Sequence, residues 1–167
     1  MNRLQFSIII FVFIFFILNC SKTDSISNIP KIEYIGMNKT LMRQGSINED
    51  TVWLQFKFED GDGDLGYGSA DTTHTDIILK DSRTGNIQDK FNLPDLPPSE
   101  NDAQKGVITI RILTTCCIFP KTPANWQPCS APPEFPIDSL QYLIYIIDRA
   151  GHQSNIIQSD FVKLLCQ

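Results

Sequence analysis

The chain has 167 residues, of which 42% are hydrophobic and 20% are charged, and its formal net charge is −5. This length suits one domain rather than two, and the hydrophobic fraction is enough for that domain to bury a core. Proteins that bind nucleic acid normally present a basic face, so the net acidity argues against that class of partner. We therefore expect a single globular domain that binds no nucleic acid.

The first residues predict an export signal. Residues 1–3 form a short positive start, and residues 6–18 are apolar apart from Ser7. An apolar run of this length fits the core of a signal peptide and is shorter than the ~20 residues that a membrane-spanning helix needs. We divide the chain into a signal peptide (1–19), a lipidated cysteine with a flexible polar tether (20–28) and a folded β-sandwich domain (29–167).

The apolar run ends in Ile17-Leu18-Asn19-Cys20, which resembles the lipobox of bacterial lipoproteins. In that motif, cleavage exposes a cysteine that carries the lipid, so the resemblance implies lipidation at Cys20. The alternative is an ordinary signal peptide that is cut elsewhere, with Cys20 an incidental thiol. A lipid anchor would tie the domain to a membrane. Since Ser21-Lys22 gives no inner-membrane retention signal, we expect the outer membrane, and the sequence leaves open which of its faces the domain occupies.

Four further cysteines lie in the domain: Cys116, Cys117, Cys129 and Cys166. Cysteines of an exported protein usually pair, but adjacent cysteines seldom bridge each other. We therefore predict that one member of the adjacent pair bonds to Cys129 and the other to Cys166. A metal site or a redox motif would need Cys-x-x-Cys or suitably spaced histidines, and the sequence has neither pattern.

Seven short segments have the apolar content and flanking turn residues of β-strands. Between residues 51 and 58, for example, every second residue is apolar, which predicts one buried and one exposed face. Nine of the ten prolines lie between residues 94 and 136, where they exclude long helices and mark long loops. The pattern predicts an antiparallel, immunoglobulin-like β-sandwich of about seven strands. The predicted strands are 29–35, 51–58, 77–80, 87–93, 107–113, 140–147 and 155–165.

The segment Asp138-x-Leu140-x-Tyr142-x-Ile144 resembles the tyrosine corner of immunoglobulin-like domains. That resemblance implies that the Tyr142 hydroxyl bonds back to the backbone near the start of a strand. The alternative is an ordinary buried tyrosine, and the fold prediction is the same in both cases.

The most distinctive segment is an acidic, glycine-rich loop, residues 58–68, with the sequence Phe-Glu-Asp-Gly-Asp-Gly-Asp-Leu-Gly-Tyr-Gly. The glycines allow the chain to turn so that alternate aspartates converge. Converging carboxylates repel one another, and no Lys or Arg lies between Lys57 and Lys80 to neutralise them. A hard divalent cation is the natural partner, because Ca²⁺ takes about six to eight oxygen ligands. A solvated acidic turn whose aspartates cap local backbone groups is the alternative.

The spacing of this loop matches an EF-hand only in part. Leu65 stands where the EF-hand loop has Gly, and Asp71 rather than Glu stands at the twelfth position. We therefore predict a Ca²⁺ site in an inter-strand loop rather than an EF-hand. Its predicted ligands are Asp60, Asp62 and Asp64, with Asp71 or Asp148 completing the shell if the strand that precedes Asp148 ends nearby.

Two motifs suggest a group of proteins. The segment DGDGDLG, which begins at Asp60, and DRAGxxSN, which begins at Asp148, each follow a predicted strand. Together with the lipobox, they resemble small bacterial cell-envelope lipoproteins that have an immunoglobulin-like or cadherin-like β-sandwich. Most such proteins have no assigned activity, so the resemblance implies a fold and a location rather than a reaction.

Two function classes follow. The first is a non-catalytic outer-membrane module that binds an envelope protein or glycan or has a structural role, with Trp53 and Trp126 as candidate contact residues. The second is a small hydrolase that acts on envelope glycans through two carboxylates. His74 and His152 lie in no nucleophile motif and are expected at the surface. We favour the non-catalytic module.

Overall fold

The computed structural model describes residues 26–46, 49–68, 71, 73–97, 103–119 and 127–167, so Cys20 and Trp126 lie outside the described residues. The described chain is all-β, as predicted, but it forms ten strands rather than about seven. It contains no helix with the length and apolar character needed to cross a membrane. The strands are β1 (Lys31–Met37), β2 (Leu41–Arg43), β3 (Thr51–Asp60), β4 (Ile77–Asp81), β5 (Ile87–Phe91), β6 (Gln104–Leu113), β7 (Ile137–Leu140), β8 (Tyr142–Ile146), β9 (Ile157–Gln158) and β10 (Val162–Leu165).

The strands form a β-sandwich with two principal sheets and one small sheet. The first sheet has the order β1-β3-β6 and the second has the order β5-β4-β8-β9, and both are antiparallel. The small sheet has the order β2-β10-β7. In it, β10 pairs with β2 in parallel and with β7 in the antiparallel sense, so the expectation of a wholly antiparallel fold is wrong at this one pair.

Strand β3 has the two faces that its sequence predicts. Val52, Leu54 and Phe56 are fully buried, whereas Trp53 on the opposite face is 46% exposed. The inward side chains pack with those of β4, β6 and β8 into one core between the sheets. Burial of a Leu or Phe side chain contributes roughly 1.5–3 kcal/mol, so this face accounts for the position of the strand.

The long apolar segment near the C-terminus is two strands rather than one. Gln141 interrupts it, so that β7 pairs with β10 while β8 pairs with β4 and β9. The Ser159 side chain accepts a hydrogen bond from the Tyr142 amide at 2.8 Å, and the Ser159 amide donates to the Tyr142 carbonyl at 2.9 Å. These contacts satisfy the backbone at the break and allow the chain to pass from one sheet to the other.

The disulfides follow the predicted scheme. Cys116 pairs with Cys129 and Cys117 pairs with Cys166, at sequence separations of 13 and 49. In the chain-entropy model, closures of these lengths stabilise the fold by about 3 and about 4 kcal/mol. The longer loop matters more, because it holds the last strand to the centre of the chain.

Tyr142 is an ordinary buried tyrosine rather than a tyrosine corner. Its side chain is fully buried, and its hydroxyl lies 3.8 Å from the Met42 sulfur. Burial raises the pKa of the phenol to about 12. Among the described residues, the hydroxyl makes no hydrogen bond to the backbone, so the fold stands without that motif.

Candidate metal centre

At the ends of β3 and β8, an aspartate occupies the inward-facing position that follows the last apolar core residue. The buried face of β3 passes from Phe56 and Phe58 to Asp60, and the buried face of β8 passes from Ile146 to Asp148. Alternation along a strand directs every second side chain to the same face. Both carboxyl groups are therefore carried inward, and both residues have no exposed surface.

A third aspartate completes a cluster. Asp64 lies in the loop after β3, and each of Asp60, Asp64 and Asp148 offers a carboxylate oxygen within 4.8 Å of the others. Gly63 between the first two has a φ of 67°, a backbone conformation that glycine adopts without strain. The loop thus turns back on itself, as its glycines predict, and brings the carboxylates of its two ends together.

Two oxygens of the cluster are buried and lack hydrogen-bond partners among the described residues. They are Oδ1 of Asp60 and Oδ1 of Asp64, whereas the Oδ2 atoms accept bonds from the Asp64 amide (3.0 Å) and the Ala150 amide (2.9 Å). Buried polar atoms are nearly always satisfied, because an unmade bond costs about 1–3 kcal/mol. A cation between the carboxylates would satisfy both atoms.

The electrostatics of the cluster have the same implication. Desolvation, together with the charges of Asp62, Asp64 and Asp148, raises the pKa of Asp60 to about 6. Desolvation and the Asp148 charge also raise the pKa of Asp64. Both shifts arise because negative charge is unfavourable at this point of the fold, and a bound cation would remove that cost.

The raised pKa of Asp60 gives an expected pH dependence for the metal-free protein. The folded state favours the protonated acid, so the contribution to stability is greatest below about pH 4 and is lost as the pH rises through about 6. Between these values, the free energy of unfolding in chelator should fall by about 2–3 kcal/mol because of Asp60 alone. Denaturant titrations of the wild type and of Asp60→Asn at each pH would measure this. An equal pH slope in both proteins would contradict the assignment.

The turn that follows β8 holds the acidic loop in place. The Arg149 backbone amide and guanidinium Nε both donate to the Asp64 carbonyl, at 3.2 and 2.9 Å. Asp148 accepts bonds from the His152 amide (2.7 Å) and pairs with its ring Nδ1 (2.9 Å). The two motifs singled out in the sequence, DGDGDLG and DRAGxxSN, therefore meet at one site although 88 positions separate Asp60 from Asp148.

The other predicted ligands are placed differently. Asp62 is exposed at the edge of the cluster, close enough for its charge to raise the pKa of Asp60 and Asp64. Asp71 is not a member of the cluster: its carboxylate bonds to Thr73 and pairs with His74 Nδ1 at 2.7 Å. These bonds hold the pKa of Asp71 well below its usual range. Of the two alternatives for the remaining position, the structure therefore brings Asp148, and not Asp71, to Asp60 and Asp64.

One fully buried aspartate, Asp76, was not predicted. Asp76 directly precedes β4 and is fully buried, and its Oδ2 accepts the Leu93 amide at 2.6 Å while Oδ1 has no partner among the described residues. Desolvation raises its pKa. The only signal in the sequence was an acidic residue directly before an apolar strand. That pattern does not distinguish a buried aspartate from one that is exposed to solvent at a strand end. Its oxygens lie outside the three-carboxylate cluster.

The remaining candidate residues lie away from the cluster. Trp53 is half exposed on the outer face of β3, opposite Arg111 of β6, so it stays a candidate contact residue. His74 and His152 are partly exposed, as expected. Two cavities, of about 520 and 410 Å³, lie beside β5 and β6, and no carboxylate of the cluster lines either of them.

Comparison with protein-family models, with curated proteins and with solved structures finds no match to this chain.

Proposed function

We propose that this protein is a non-catalytic outer-membrane lipoprotein whose β-sandwich binds Ca²⁺ through Asp60, Asp64 and Asp148. The domain would hang from lipidated Cys20 and act as a binding or structural module of the cell envelope, with an envelope protein or glycan as its partner. The metal proposal is supported above all by Asp60, a fully buried carboxylate that has an unpartnered oxygen and lies in a cluster with two further carboxylates.

The ligand chemistry favours calcium over softer metals. All three side chains offer oxygen only, and the cluster contains no thiolate or imidazole ligand among the described residues. Ca²⁺ also accepts backbone carbonyls and water in an irregular shell, which suits a loop that supplies only part of the ligands. Asp62, exposed beside the cluster, is available as a further ligand.

The same geometry supports a structural role rather than hydrolysis. A two-carboxylate hydrolase needs a cleft in which a sugar can lie between an acid and a base. Asp60 and Asp148 are instead fully buried at strand ends, and neither residue lines the two cavities described beside β5 and β6. An ion at this place would join the β3 loop to the β8 turn.

Calcium titration with thermal unfolding tests the proposal. We expect the wild-type melting temperature to rise by about 5–11 °C at a Ca²⁺ concentration near one hundred times the dissociation constant, where binding contributes about 2.7 kcal/mol. The matched control is Asp71→Asn, which removes a neighbouring aspartate outside the cluster and should keep the full rise. An unchanged melting temperature in the wild type at millimolar Ca²⁺ would refute calcium binding.

A further inference from the structure

The acidic loop also receives the segment that leads to the proposed anchor. The Gly61 amide donates to the Ser27 carbonyl at 2.8 Å. A Cβ at position 61 would lie 2.4 Å from the Ile26 carbonyl oxygen and 2.6 Å from that of Ser27. Real Cβ atoms essentially never approach other atoms so closely. Gly61 thus forms a cradle that only glycine can provide while residues 26–27 occupy it.

The DRAGxxSN motif also contacts the N-terminal part of the domain, through its last residue, Asn155. The Asn155 side chain accepts a bond from the Ile32 amide and donates to the Ile32 carbonyl, each at 2.9 Å. This amide therefore pairs with the start of β1 as a neighbouring strand would. Both motif segments contact the N-terminal part of the domain, but only Gly61 lies between two cluster carboxylates, those of Asp60 and Asp64.

We propose that cation binding at the Asp60–Asp64–Asp148 cluster closes the Gly61 cradle on residues 26–27 and so fixes the anchor segment to the domain. The ion would hold both ends of the five-residue loop 60–64, and Gly61 would be fixed between them. Without the ion, the carboxylates repel one another, the loop loosens and the cradle opens. Cys20 and Ile26 are six positions apart, which limits their span to about 20 Å, so a fixed segment sets how the domain sits above the lipid. This inference rests on the proposed calcium site.

Nuclear magnetic resonance of the full chain tests the inference with Ca²⁺ or chelator as the only variable. Exchange of the Gly61 amide should slow at least tenfold on addition of about 5 mM Ca²⁺, a concentration that saturates millimolar or tighter sites. The ¹⁵N order parameters of Ser27 and Asn28 should rise from below about 0.6 to about 0.85.

Gly61→Ala separates the cradle from the ion, because it keeps every carboxylate and blocks only the place of residues 26–27. We expect this variant to keep the calcium-induced rise in melting temperature, while Ser27 and Asn28 keep low order parameters with or without Ca²⁺. A wild-type protein that melts higher in Ca²⁺ but shows no change at Gly61, Ser27 or Asn28 would overturn the inference and leave the calcium site intact. Absence of both effects would overturn the calcium site, and this inference with it.

Discussion

Asp60→Asn is expected to make the protein more stable in chelator and insensitive to calcium. Asparagine keeps the acceptor for the Asp64 amide and places an NH₂ group beside the carboxylates of Asp64 and Asp148. Removal of the buried charge should therefore raise the free energy of unfolding at pH 7 by about 2 kcal/mol. With one proposed ligand lost, the gain of about 2.7 kcal/mol expected for the wild type in excess Ca²⁺ should largely disappear.

Guanidinium titrations at pH 7 measure the free energy of unfolding of the wild type and of Asp60→Asn, each in chelator and in Ca²⁺. The variant should be more stable than the wild type in chelator but should gain little stability from Ca²⁺. If Asp60 were merely structural, its replacement would lower the free energy of unfolding in both conditions. A fall in chelator together with an unchanged calcium effect would contradict a cation site at Asp60.

Arg83→Ala is expected to cost about 3–5 kcal/mol, because it leaves two largely buried carboxylates without a counter-charge. The Arg83 guanidinium pairs with both Asp81 and Asp138 and donates to the Cys116 carbonyl at 3.2 Å. Asp138 in turn accepts the Ile118 amide at 2.9 Å. This arginine therefore links the β4–β5 turn to the disulfide-bonded segment and to β7.

The matched control is Arg111→Ala on the exposed outer face of β6, which should change stability by less than about 0.5 kcal/mol. Chemical denaturation at neutral pH compares the two variants. A loss of less than about 1 kcal/mol for Arg83→Ala would show that the pairs contribute little.

The parts of the fold that could be predicted are those in which the sequence of one strand alone indicates which of its faces is buried. The alternation from Val52 to Phe58 is sufficient to assign both faces of β3. The break at Gln141 could not be predicted, because an apolar run looks the same whether its residues face one sheet or two. The three-residue strand β2 and its parallel pairing with β10 depend on long-range contacts that leave no local pattern.

The candidate site was predictable to the same degree. The glycine spacing predicted that Asp60 and Asp64 converge, whereas Asp148 was only one of two alternatives, because the sequence does not show that its strand ends beside this loop. Asp71 was a candidate because counting along a loop draws every position from that loop, whereas the third carboxylate of the cluster, Asp148, comes from another strand end. The contact of Gly61 with Ile26 and Ser27 has no sequence signal, since a glycine beside aspartates also suits an ordinary turn.

Diffraction from crystals grown in Ca²⁺, with the anomalous signal measured at long wavelength, tests the cation site most directly. We expect one strong peak between the carboxylates of Asp60, Asp64 and Asp148, with oxygen ligands at about 2.3–2.6 Å. A well-ordered cluster with no peak, or a peak only at Asp71, would contradict it.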